Sequence, residues 1–126
     1  MEQYFKSKLI EIGVDVNRSV KEYFFGSESY FEETLKLYPT NDGLFNKIYE
    51  EINNNNTSKA FEYAYQLQIQ MSFLCFDVVY NKVTRAIDKF RRGTTFGTKN
   101  LFDQVNNRYH DFILIVKEMK GEIKYE

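Results

Sequence analysis

Apolar residues recur at helical spacing along the whole chain. Tyr4, Phe5, Leu9 and Ile12 predict a short helix over 3–12 that stops at Gly13. Asp15 is placed to cap a second helix, with Val16, Val20 and Phe24 inward, Tyr23 beside them and Gly26 as its end. Ser29-Tyr30-Phe31-Glu32 has the spacing of a capping box. It predicts a third helix running to Tyr38, where Pro39 forbids continuation. Asp42 caps a fourth, carrying Leu44, Phe45, Ile48, Tyr49 and Ile52 as far as the polar run Asn53 to Asn56.

Two longer helices follow. At ~100° per residue, Ala60, Ala64, Leu67, Met71 and Leu74 fall on one stripe of a helix over 58–74, with Tyr63 beside it. Cys75-Phe76-Asp77 reads as a tight link with Asp77 as cap. The next helix spans 77–91 and turns Val79, Val83, Ala86 and Phe90 to one face. After a loop over 92–97, Asn100 caps a last helix whose stripe is Leu101, Phe102, Val105, Tyr109, Phe112, Ile113, Val116 and Met119. No strand, repeat or linker emerges. These amphipathic faces can be buried only against each other. The expected fold is all-α: one domain over 1–126, with an antiparallel four-helix bundle at about 42–119 and short N-terminal helices, about 3–38, across one end.

Composition narrows the function. The 126 residues are 43% apolar, enough for a single core, and carry a net charge of -1. A near-neutral chain has no bulk attraction for nucleic acid or anionic membrane. The lone Cys75 can form no internal disulfide, and the lone His110 offers little to a metal or catalytic site, so no metal or cofactor is expected. No apolar run is long enough to span a membrane, and the N-terminus lacks a secretory signal pattern, so the expected location is the cytoplasm.

One helix face carries more apolar surface than solvent exposure requires. On the 58–74 helix, Tyr65 lies opposite the core stripe, with Phe61, Ile69, Ser58 and Ser72 within ~40° of it. Glu62, Gln66, Gln68 and Phe73 flank them. An exposed strip of this kind is a docking surface; covered by the N-terminal helices, it would be a second core face.

Ala64-Tyr65-Gln66-Leu67-Gln68-Ile69, with Leu74-Cys75 further on, resembles the signature of the histidine phosphotransfer (Hpt) domain, roughly A-H-x-L-K-G followed by a Leu-Gly pair. Ala64, Leu67 and Leu74 match. Gly13-Val14-Asp15-Val16, the short helices up to Pro39, the Asn-rich turn before Lys59-Ala60-Phe61 and the helix ending in Arg91-Arg92-Gly93 are also similar, so the resemblance covers about residues 9–93. It implies a four-helix bundle relaying a phosphoryl group between receiver domains. The family's acceptor histidine falls on Tyr65, its lysine on Gln68, the glycine that admits the incoming receiver on Ile69, and its second glycine on Cys75. A phenol keeps its proton at neutral pH and needs a general base to act as nucleophile, and Glu62, about one turn away, is the nearest carboxylate in sequence. Gln68 supplies no cation to steady a phosphoryl group.

The expectation is a bacterial two-component protein, not an enzyme, that docks a receiver domain or a histidine kinase without carrying phosphate. Phe61, Tyr65 and Ile69 would be the apolar centre of that docking face, with Glu62, Gln66, Gln68, Ser72 and Phe73 around it. The alternatives are phosphotransfer through Tyr65 and a structural or oligomerisation bundle with no signalling role. Elsewhere, Glu32-Glu33 and Glu50-Glu51 read as solvated helix faces, and His110 as a surface residue. Lys89, Arg91 and Arg92 suit a helix C-terminus, with a phosphate or acidic-partner contact as the alternative. Gly93 to Lys99 lacks the spacing of a phosphate-binding loop.

Overall fold

The computed structural model describes residues 1–123, and these form eight helices with no strand among them. They are α1 Gln3–Ile12, α2 Val16–Tyr23, α3 Glu28–Lys36, α4 Leu44–Asn53, α5 Thr57–Phe73, α6 Asp77–Arg91, α7 Thr98–Asp103 and α8 Asn106–Met119. The caps follow local chemistry. Asp15 accepts from Arg18 N, Ser27 from Tyr30 N and Asn56 from Lys59 N.

Five helices end in one device, a left-handed residue whose two neighbouring N–H groups return to the last turn. At α5, Cys75 N–H bonds Ser72 O and Phe76 N–H bonds Met71 O. The left-handed residue is Gly13, Asn55, Cys75, Gly93 or Gly121, whereas the turn after α2 has two, Phe25 and Gly26, with Gly26 N–H on Val20 O. At Gly13, φ is 110° and an added Cβ would lie 3.3 Å from the Arg108 guanidinium. Phe25 and Cys75, at φ 55° and 51°, are side chains where glycine or asparagine is the usual solution.

α5 lies between α4 and α6 and runs antiparallel to both. Lys47 reaches the Tyr63 ring across the first pair, while Gln68 meets Thr84 and Arg91 meets Phe61 across the second. α7 packs on α6 and α4. The core stripe of α5 is fully covered, with Ala60, Ala64, Leu67 and Met71 at 0% exposure. Phe31, Phe76, Phe102 and Phe112 fill the interior around it.

Several expectations need correction. The last helix is two helices, because Val105 leaves helical geometry at φ -122°, ψ 1°. A straight helix would turn Phe112 about 80° away from Phe102. The break lets Phe102 meet Phe45 and Tyr49 while Phe112 meets Tyr38 and Phe76. Asn100 therefore sits inside α7, and Ile115 is buried while Ile113 is only partly so. α1 does not cross an end. It runs antiparallel along α8, with Tyr4 donating to Glu118 and Arg108 donating to the Ile12 carbonyl. α2 and its N-cap lie against the α5–α6 turn, where Arg18 reaches Asp77 at 2.6 Å, Ser19 donates to Phe73 O and Asp15 N–H to Cys75 O.

The cap of α3 is Ser27, not Ser29, and α3 ends at Lys36 with Leu37 as its C-cap. Gly43 is the N-cap of α4, because the Asp42 carboxylate bends back to Leu44 N two residues on. Asp77 is the first helical residue of α6, after Phe76 as N-cap. Glu50 is solvated but Glu51 is 9% exposed, on the buried side of α4. No helix of the described residues is long and apolar enough to cross a membrane.

Candidate functional site

Phe61, Tyr65, Ile69 and Phe73 succeed each other at intervals of four, so they form a row that winds down α5, each about 40° round from the last. Their stripe is opposite the one buried against α4 and α6. Tyr65 is 45% exposed, Ile69 42% and Phe73 48%, while Phe61 is half-buried. The N-terminal helices reach this line only at its C-terminal end, where Tyr23 of α2 meets Phe73 edge to face at 5.1 Å.

The upper end of the line is built as a stack. The Phe61 and Tyr65 rings lie nearly parallel, 9° apart with centroids at 5.8 Å. The Arg91 guanidinium of α6 sits 5.4 Å from the Phe61 centroid on its other flank. Arg91 was legible in the sequence only as one of a cationic cluster at a helix end; the antiparallel pairing of α5 and α6 brings it to the aromatic row. Its neighbour Arg92 is committed to Asp88 at 3.2 Å.

The remaining predicted residues separate into two groups. Glu62 and Gln66 are exposed beside the row. Gln68 turns toward α6 and donates to Thr84 at 3.0 Å, and Ser72 lines a hollow with Arg18, Glu22, Cys75 and Asp77. Among the described residues, no carboxylate or imidazole hydrogen-bonds the Tyr65 hydroxyl. His110 is exposed on α8, beside a shallow polar cleft with Thr40, Asp42 and Lys117, and so lies on a different helix from the row.

Cys75 is 3% exposed at the foot of α5. Burial pushes its thiol up, and the Arg18 guanidinium pulls against that shift. Raised and covered, the thiol lacks the exposed, lowered setting of a reactive cysteine. Beneath the row, Tyr38 donates to Gln70 of α5 and its hydroxyl lies 3.1 Å from that of Tyr109. This buried pair pins α3 and α8 to the inner side of α5. No group of three or more side chains suited to hold a metal ion occurs among the described residues.

The surface left by this arrangement is an apolar line rimmed by amide and carboxylate groups, with one guanidinium at its end. The chemistry it offers is apolar burial and ring stacking. Comparisons with models of known protein families, with curated proteins and with solved structures find no match to this chain.

Proposed function

We propose that this chain is an Hpt-like four-helix protein that docks a receiver domain, or the histidine kinase that serves one, in the cytoplasm of a bacterium without passing phosphate. In this reading α4, α5 and α6, with α7 and α8 sharing the fourth position, form the bundle, and the Phe61–Tyr65–Ile69 row is the docking face. The observation that carries it is the exposure of Tyr65 and Ile69 on the helix whose sequence resembles the Hpt signature. A second point agrees with it. The family's second glycine corresponds to Cys75, and Cys75 occupies a left-handed helix end that glycine favours.

Phosphate transfer is lost in this reading for chemical reasons. Tyr65 has no base to take its proton, Gln68 is neutral and tied to Thr84, and Ile69 stands where an incoming receiver needs room. What remains is binding through apolar burial.

The test mixes the chain with receiver domains encoded in the same genome, each phosphorylated with label on its aspartate. The expected result is saturable binding to at least one receiver, with no label transferred to the chain. Label on Tyr65 would replace this reading with phosphotransfer, and absence of binding to every receiver and kinase would end it.

A further inference from the structure

Large apolar exposures also lie beside the α5 row, while Phe96, 84% exposed, stands apart on the α6–α7 loop. Phe25 is 90% exposed, Leu37 83%, Tyr30 50% and Tyr23 37%. All four belong to α2, α3 and the residues that end them. Tyr23 and Tyr30 line a groove of about 290 Å³ with Phe24, Leu35, Phe73 and Leu74, where Tyr38 and Gln70 add polar groups, and Phe25 and Leu37 lie outside that lining. Tyr30, Thr34 and Leu37 share one face of α3 by helical spacing, so Leu37 prolongs the groove wall that Tyr30 and Thr34 form.

Phe25 stands on the rim. Its ring lies 6.2 Å from that of Tyr30 and within 10° of parallel. Its backbone is left-handed, so a bulky side chain sits where asparagine or glycine costs less, and the ring is then left in water. A contact that buries the ring would offset both costs.

We propose that this face joins two copies of the chain, with Phe25 of each copy seated in the groove of the other. A projection and a hollow side by side on one face are what a two-fold interface requires, since every contact is then made twice. The area suits a weak, reversible dimer: buried completely, the exposed parts of Phe25, Leu37, Tyr30, Tyr23 and Phe73 give at most about 600 Å² per copy, or about 1,200 Å² for the pair, the lower end of the ~1,200–2,000 Å² of specific interfaces. Charge does not oppose it. Lys21 and Glu22 on α2, and Glu33 and Lys36 on α3, place both signs nearby, and each copy carries a net charge of only -1. Phe61, Tyr65 and Ile69 lie outside this interface, with Phe73 the one residue common to both surfaces. The dimer therefore goes beyond the receiver reading and does not depend on it.

Sedimentation velocity of the full chain across the micromolar range tests it. The expected result is reversible self-association toward twice the 15.1 kDa chain mass. Phe25→Asn keeps a residue that tolerates the left-handed turn, and so should leave the thermal unfolding midpoint of the monomer, measured below the association range, unchanged or raised while weakening association at least ~10-fold. Ile69→Asp should dimerise like the native chain. A native chain that stays monomeric throughout, or a folded Phe25→Asn that dimerises equally well, overturns the proposal. So does a dimer lost in Ile69→Asp but kept in Phe25→Asn, which would place the contact on the α5 row. A monomer whose receiver binding is lost in Phe25→Asn would give the groove to that partner instead.

Discussion

Cys75 and Phe25 hold backbone that few side chains hold, for different reasons. The Cys75 side chain is packed under α2 and touched by Arg18, so its contacts offset the left-handed turn. Replacing it with glycine relieves the turn and loses the packing, and the two effects should cancel to within about 1 kcal/mol. Cys75→Val keeps the bulk but adds a β-branch that the turn rejects, and should cost about 2 kcal/mol or more. Urea unfolding of the two variants checks the contrast. The Tyr38–Tyr109 pair makes a pH prediction. Burial raises both phenols, Tyr109 from 10.0 to about 12 and Tyr38 further. The folded state thus holds protons that the unfolded chain has released. The stability is fully present below pH 10 and falls as pH rises from about 10 through about 12. Denaturant midpoints measured across that window should fall, and Tyr109→Phe should fall less steeply.

α5 joins buried and exposed faces on one helix. Ile69→Asp changes a residue 42% exposed and should move stability by no more than about 0.5 kcal/mol. Leu67→Ala, two residues away at 0% exposure, should cost about 2–5 kcal/mol. Chemical denaturation of both distinguishes the two faces, and unfolding of Ile69→Asp would show that the row is structural. This two-faced character was readable from the sequence because both stripes follow one period. Ala60, Ala64, Leu67 and Met71 mark the inside, and Phe61, Tyr65, Ile69 and Phe73 the outside. The break at Val105 was not readable, because Leu101 to Met119 keeps a continuous helical pattern with no glycine or proline to interrupt it. Its cause is tertiary: Phe102 and Phe112 have different neighbours. Ser27 was missed as a cap because Ser29 offered a better local motif. The Tyr30 groove depends on how α2 and α3 sit against α5, which no local spacing specifies. Its one local sign is the spacing of Tyr30, Thr34 and Leu37.

At the scale of the whole molecule, the N-terminal helices support α5 without covering its row. α2 fixes the foot of the helix through Arg18–Asp77 and Ser19–Phe73, α1 follows α8, and α3 and α8 meet the inner side of α5 through Tyr38, Gln70 and Tyr109. The row is thereby held on a rigid element, which lowers the entropy lost on docking. In the docking reading, partner choice rests on the apolar centre and on Arg91 at one end. The most direct measurement is an amide chemical-shift map of the isotope-labelled chain titrated with a receiver domain. The account predicts saturable shifts concentrated from Phe61 to Phe73 and at Arg91, absent with Ile69→Asp. Shifts confined to α8 and the His110 cleft, or none with any receiver or kinase, would contradict it.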